Sequence, residues 1–171
     1  MVAEVVYRAA GPADLEAINR IYNRYVLESH CSFDLEPTSM EWRDEWFGHY
    51  GREGRWRVFV AAAGDGAVVG YASSSRFRPK PAYETSVETS IYLDGGATGQ
   101  GIGRRLYASL FAALEGEDVH RAYAGIALPN PASIALHERI GFKRVAYFTE
   151  QGRKFGRYWD VAWYEKALNG A

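Results

Sequence analysis

Gly99-Gln100-Gly101-Ile102-Gly103-Arg104-Arg105-Leu106 sets three glycines on alternate positions, directly after a β-rich run and before a run with helical apolar spacing. Such a segment folds as strand, tight loop and helix in succession. Glycine adopts positive φ and lets the backbone approach an anion, so successive N–H groups can converge on a phosphate at the helix N-terminus. The loop reads as a phosphate cradle, and its surroundings decide the ligand.

Apolar periodicity supplies those surroundings. Val5-Val6-Tyr7 reads as a first strand. A helix starts at Gly11-Pro12 or Asp14, carries Leu15, Ile18, Ile21, Tyr22 and Val26, and ends near Ser29. Thr38-Ser39-Met40-Glu41 is a capping box opening a second helix with Trp42, Trp46 and Phe47. Strands over 57–62 and 67–72 flank Gly64-Asp65-Gly66, a hairpin signal. Ser86 to Leu93 is the strand that feeds the glycine loop. Leu106, Leu110, Ala113 and Leu114 form the stripe of the following helix, which ends at Gly116. A strand over 121–127 leads to Leu128-Pro129-Asn130-Pro131, with Asn130 as N-cap and Pro131 at the first helical position. That helix runs to about Ile140 and closes at Gly141. Phe142–Phe148 and Tyr158–Ala167 read as two strands joined by a polar loop over 149–156. The order β-α-α-β-β-β-α-β-α-β-β predicts one α/β domain over residues 1–171, a three-layer fold with a mixed, mostly antiparallel sheet flanked by helices.

At 171 residues and 47% hydrophobic, the chain suits a single domain with a sizeable core. A net charge of −1 provides no global basic field, which argues against nucleic acid and anionic membrane surfaces as partners. The single cysteine, Cys31, excludes an intramolecular disulfide and reads first as a small buried hydrophobe. With no signal-peptide pattern and no run of about 18 apolar residues, a cytoplasmic location is expected. His30, His49 and His120 form no metal-ligand spacing, so no metal is expected.

Two phosphate ligands are disfavoured at once. A triphosphate cradle would place Lys-Ser or Lys-Thr after the last glycine, and none is there. A dinucleotide fold would end its next strand on an acid, whereas here it ends Ala127-Leu128-Pro129-Asn130. The residues instead resemble the GNAT superfamily of N-acetyltransferases, whose pattern Arg/Gln-x-x-Gly-x-Gly/Ala is met by Gly101 and Gly103. Its first position falls on Thr98, neither Arg nor Gln, so that pyrophosphate contact is either missing or supplied by Gln100, Arg104 or Arg105. Over nearly the whole chain the likeness is to the phosphinothricin and methionine sulfoximine acetyltransferase branch. It is carried by Tyr7-Arg8-Ala9-Ala10, by 32–37, by 83–92 with its Val87-Glu88-Thr89-Ser90 strand, by 128–133, by Leu136-His137-Glu138 through Phe142, and by 154–160.

An acyl thioester is already activated, so transfer to an amine requires a base, an oxyanion donor and a proton for the leaving thiolate. Glu88 is a carboxylate in mid-strand, alternating with Ser90 and Tyr92 on one face while Val87, Thr89, Ile91 and Leu93 take the other. By pattern alone it could face solvent or pair with Arg76 or Arg78; the resemblance implies the general base. Asn130, Ser133, Ile134 and His137 share one helical face. Asn130 is explained by capping alone, but the resemblance implies that Asn130 and Ser133 contact acetyl-CoA and that His137 protonates the thiolate, for which an ordinary histidine pKa is suited. It further implies that backbone groups of Ile91, Tyr92 and Leu93 hold the acetyl group and pantetheine, and that Gly99, Gln100, Gly101, Ile102, Gly103 and Arg104 hold the pyrophosphate. The cationic loop Arg76–Tyr83 reads either as a solvated loop or, by resemblance, as the wall of the acceptor site. There Arg78 would pair with a substrate carboxylate, with Phe33, Lys80, Tyr83 and Trp159 nearby.

Three functions remain open on these residues. The first is acetyl transfer from acetyl-CoA to the α-amino group of a small amino-acid analogue of the phosphinothricin, methionine sulfoximine or methionine sulfone type. The second is acetyl transfer to another amine, such as an antibiotic, a polyamine or a protein N-terminus. The third is an acyl-CoA-sensing module without turnover. The resemblance also implies a homodimer, for which the aromatic run Tyr158, Trp159, Trp163 and Tyr164 offers surface, although the same residues suit a core strand equally well.

Overall fold

The computed structural model describes residues 4–169, so Met1–Ala3 and the last two residues of the expected domain lie outside the described range. The chain forms β1 (Val5–Ala9), α1 (Leu15–Glu28), α2 (Met40–Phe47), β2 (Arg57–Ala63), β3 (Val68–Arg76), β4 (Ser86–Leu93), α3 (Ile102–Ala113), β5 (Arg121–Ala127), α4 (Pro131–Arg139), β6 (Lys143–Lys154) and β7 (Arg157–Ala167). This is the element order expected from the sequence. Among the described residues, seven strands make one sheet ordered β1-β2-β3-β4-β5-β7-β6, and only β4–β5 is parallel.

Strand alternation divides the core between the two faces. Val58, Val60 and Tyr71 face α1, whose Leu15, Ile18 and Ile21 are buried against them. Ala61, Ala72, Ile91 and Leu93 face α3 through Leu106, Tyr107 and Leu110. Val87, Ala122, Ala124 and Ile126 continue that second face under α4, with Ile134 and Phe142 packed on them. Helices on both sides of a mostly antiparallel sheet give the three layers.

Three local expectations are corrected. Ser39 rather than Thr38 caps α2, its hydroxyl accepting from the Trp42 N–H at 3.1 Å. Thr38 is occupied elsewhere: its hydroxyl donates to Asn19 Oδ1 at 2.7 Å and its N–H to Asn23 Oδ1, tying the loop to α1. The second strand of the first hairpin extends four residues beyond Ala72 to Arg76, because Ser73–Ser75 pair with Ser90–Glu88. The stretch over 149–156 is mostly strand. Its reversal is confined to Phe155 and Gly156, both left-handed at φ 52° and 72°, the hand that suits a two-residue hairpin turn. A bulge between Phe148 and Gly152 absorbs the register, with the Glu150 N–H donating to Asp160 Oδ1 at 2.7 Å.

Candidate active site

β4 and β5 part company at Glu88. Their ladder has three rungs, Ser86↔Arg121, Val87↔Ala122 and Glu88↔Tyr123, yet β4 continues to Leu93 and β5 to Ala127. Beyond the last rung the backbone groups of Ser90–Leu93 directed toward β5 find no strand there. Buried backbone donors and acceptors demand partners, so the fork is a place for an extended ligand that can supply them. A cavity of about 600 Å³ fills it, lined by Thr89–Leu93 from one strand and Ala124–Ala127 from the other. α1 fixes the open side of the fork, with the Tyr25 hydroxyl donating to the Leu93 C=O at 2.8 Å and Asp94 held by Arg20 and Arg24.

The cavity runs on to the glycine loop, where Gly99, Gln100, Gly101, Ile102, Gly103 and Arg104 all line it. Gly99 and Gly101 are left-handed at φ 75° and 76°, and Gly101 is the N-cap of α3. The first-turn N–H groups of α3 therefore open onto the cavity mouth, where the helix dipole favours an anion. Gly103 is needed for a different reason: a Cβ there would stand 3.1 Å from Leu136 Cδ2 and 3.5 Å from the tips of Ile91 and Leu93, so its absence lets α3 close on β4 and α4. At the position where the motif has Arg or Gln, the Thr98 hydroxyl donates to the Gly95 C=O, and the Gln100 amide is spent on the Gly96 C=O at 2.7 Å. Arg104 and Arg105 line the cavity and make no ion pair among the described residues.

α4 closes the other wall. Asn130 accepts from the Ser133 N–H at 3.1 Å as its N-cap, and Asn130, Ser133 and His137 all line the cavity. His137 is 2% exposed. Its Nδ1 lies 2.8 Å from the Ser133 C=O, and its Nε2 lies 3.1 Å from the Tyr107 hydroxyl of α3. Burial pushes this imidazole below the ordinary histidine range, which the Ser133 carbonyl only partly offsets. The ring expected to have an ordinary histidine pKa is thus one whose burial lowers it.

Glu88 sits at the closed end of the fork, half-buried and outside the cavity lining. Desolvation raises its pKa above the usual carboxylate value, and the charge of Arg78 draws it partly back. Arg78 rides over the rings of Phe77 and Trp163, and Phe77 stacks on Tyr123 at 4.4 Å, so the cation is held beside the last rung. Tyr83 meets Phe77 edge-on, whereas Lys80 is exposed and its ammonium has no hydrogen bond or ion pair among the described residues. Phe33 covers Gly152 of β6, next to buried Lys154, whose ammonium donates to the Ser32 C=O at 2.7 Å. Trp159 stacks on His30 at 4.1 Å. The structure thus gathers Arg78 and Tyr83 around Phe77 near Glu88, and sets Phe33 and Trp159 on the β6–β7 hairpin.

Sequence reasoning missed several cavity residues. Tyr25 and Cys31 reach it from α1 and the loop after it, Arg139 from the end of α4, and Tyr107 from α3. Cys31 is only partly buried, and its Sγ accepts from Asn130 Nδ2 at 3.3 Å. Tyr107 carried a signal only as one apolar-face position of its helix, which gives no hint of a polar partner thirty residues on. Among the described residues, no three His, Cys, Asp or Glu side chains are grouped to hold a metal, and no helix is long and apolar enough to cross a membrane.

A sheet forked between β4 and β5, with a glycine loop and a helix N-terminus at its open end, defines the class of domain. Residues 7–163 match the acetyltransferase (GNAT) domain family, and the chain belongs to it as an N-acetyltransferase. It is 53% identical to a phosphinothricin N-acetyltransferase of Streptomyces coelicolor, over 97% of this chain and 98% of that protein. It is 34% identical to an L-methionine sulfoximine/L-methionine sulfone acetyltransferase of Pseudomonas paraeruginosa, over 95% of this chain and 94% of that one. Among solved structures, a phosphinothricin acetyltransferase from Sinorhizobium meliloti in complex with acetyl-CoA superposes with a TM-score of 0.88 at 35% identity, covering 98% of this chain and 89% of that one.

Proposed function

We propose that this N-acetyltransferase moves the acetyl group of acetyl-CoA to the α-amino group of a small amino-acid analogue of the phosphinothricin or methionine sulfoximine type. The observation that carries this reading is the fork itself. It offers unpaired backbone groups to a thioester along β4, a phosphate cradle beyond them, and a carboxylate where the strands meet. The names of the relatives support the same donor and acceptor class.

In this reading Gly99–Gly103 and the first turn of α3 take the pyrophosphate, with Arg104 and Arg105 supplying charge and Asn130 and Ser133 touching the carrier from α4. Backbone N–H groups of Ile91–Leu93 hold the carbonyl and steady its developing oxyanion. Glu88 takes the proton from the attacking ammonium, directly or through one water, and its raised pKa makes it a stronger base. The amine nitrogen bonds to the carbonyl carbon, the tetrahedral adduct collapses, and the C–S bond breaks to release CoA. Arg78 is the carboxylate partner for the acceptor, with Tyr83 gathered beside it on Phe77 and with Phe33 and Lys80 as further residues of the acceptor site. The exposed residues Val145, Tyr147, Phe148, Phe155 and Tyr158 on the β6–β7 hairpin support the homodimer, and the reduced single cysteine fits a cytoplasmic enzyme.

Thiol release tests the proposal. Purified protein with acetyl-CoA is expected to liberate free CoA when phosphinothricin or methionine sulfoximine is added. Release with a polyamine or an antibiotic amine but neither of these would transfer the reading to the second acceptor class, and binding of acetyl-CoA without release on any amine would leave a sensing module.

A further inference from the structure

His137 and Tyr107 come from different helices and meet inside the fold, 3.1 Å apart between Nε2 and Oη. The partners of the ring determine which nitrogen carries its proton. A carbonyl oxygen only accepts, so the 2.8 Å contact with the Ser133 C=O places the hydrogen on Nδ1. The Nε2 of that neutral ring is a bare acceptor, and the Tyr107 hydroxyl is the donor that meets it. The Ser133 hydroxyl lies 3.3 Å from the same Nδ1, at the cavity wall.

A second proton on His137 would have to enter at Nε2, displacing the Tyr107 hydrogen and leaving a cation in a site with no counter-charge. The groups packed on the ring are Tyr107 from α3, Ser133 from its own helix, Phe142 at 5.1 Å and Tyr164 of β7 at 6.5 Å. Only the two phenols among them can ionise, and burial raises both. Burying an unpaired charge is strongly unfavourable, so the neutral ring is favoured.

We propose that Tyr107 is a positioning residue for the transfer reaction: by capping Nε2 it locks His137 as the neutral Nδ1–H tautomer, so the imidazole braces Ser133 at the cavity wall and does not supply the thiolate's proton. This deepens the acetyl-transfer reading and rests on it only for what the cavity holds. The departing sulfur then leaves as the anion and takes its proton from solvent, which balances because CoA thiol and thiolate interconvert freely near neutral pH.

The test is ¹⁵N NMR of the full-length protein labelled in its histidines, with His137→Gln identifying the signals. The expected result is one ring with a protonated Nδ1 and an unprotonated Nε2, unchanged between pH 5.5 and 8. In Tyr107→Phe the same ring is expected to titrate or mix tautomers. Its kcat should fall roughly tenfold, the scale of one lost hydrogen bond, with the KM for acetyl-CoA within about twofold and a new limb in the kcat–pH profile. A wild-type His137 that gains a proton near pH 6.5, or carries its proton on Nε2, overturns the proposal, as does Tyr107→Phe with ring and pH profile both unaltered. The wild-type spectrum decides the matter even if the variant does not fold, and it needs no turnover, so failure of acetyl transfer would leave it readable.

Discussion

Glu88 and Tyr123 face each other across the last rung of β4 and β5, and above them the two strands diverge. In the proposed reaction the carboxylate stands where a ligand lying along β4 ends and an acceptor approaching past Arg78 begins. Replacing it with the isosteric amide removes the proposed base while keeping the fork. Glu88→Gln is expected to lower kcat by about 10²–10⁴-fold, with acetyl-CoA affinity within about twofold, measured by steady-state thiol release and by calorimetry. Unchanged turnover would remove Glu88 from the chemistry.

The raised pKa of Glu88 has two opposite consequences, both readable in solution. In its proposed role Glu88 acts when ionised, so kcat/KM should rise with pH along a limb displaced upward from the ordinary carboxylate range. For stability the sign reverses. A carboxyl whose folded pKa lies above its unfolded value contributes fully below the unfolded pKa, and that contribution is lost as pH rises through the folded one. Glu88→Gln should therefore melt no lower than the parent at pH 7, and its advantage should vanish below pH 4, a comparison made by thermal denaturation at the two pH values.

How much of this was legible in the sequence depended on whether a signal was local. The strand, glycine loop and helix at 86–114 announced themselves through β-branched residues, alternate glycines and a clean apolar stripe, all settled within a few residues. The β6–β7 hairpin did not, because Thr149–Lys154 are polar or glycine throughout and offer no apolar alternation to read, although Gly152 lies under Phe33 and Lys154 is buried. Arg43 of α2 carries no local signal of burial, yet it is 1% exposed, stacked on Tyr22 and Trp46 and bonded to Asn19, a burial set by tertiary packing alone. In the site, Ser133 and His137 were visible as one helical face, while Tyr107 as partner of His137 depended on how α3 and α4 dock.

The glycines of the cradle should respond differently to the same change. Gly101→Ala forces a side chain into a left-handed residue at φ 76°, costing about 1–2 kcal/mol and disturbing the first turn of α3. Gly103→Ala gains about 1 kcal/mol of helix propensity but brings a Cβ to 3.1 Å from Leu136, and the two effects roughly cancel. Denaturant melts should separate them by about 1 kcal/mol or more, with acetyl-CoA affinity reduced in Gly101→Ala.

Thr98 leaves the cradle without the usual first cation or amide, and Gln100 is already bonded to Gly96. In the proposed acetyl-CoA complex the side-chain charge facing the pyrophosphate is that of Arg104 and Arg105, which line the cavity. Each change to alanine is expected to weaken acetyl-CoA binding roughly ten- to hundredfold, the scale of a charge-assisted hydrogen bond, and to flatten its dependence on salt. Titrations at low and high ionic strength would show it, and equal affinity in both variants would return the contact to backbone amides alone.

Acid should attack the fold through a different carboxylate from the one that governs rate. Asp14, nearly buried at the start of α1, holds Arg8 through two hydrogen bonds of 2.7 and 2.8 Å and accepts from the Gly11 N–H at 2.8 Å. Those bonds favour its charged form and lower its pKa, foremost through Arg8. With a depressed folded pKa, its contribution is present above the unfolded value near 4 and disappears as pH falls through the folded one. Asp14→Asn should cost about 1–2 kcal/mol at pH 7, less than a fully buried pair because Arg8 is 44% exposed, and should cost progressively less below pH 4. Urea melts of both proteins from pH 3 to 7 measure this, and a gap that stays constant across the range would show that Asp14 acts through packing and not through its charge.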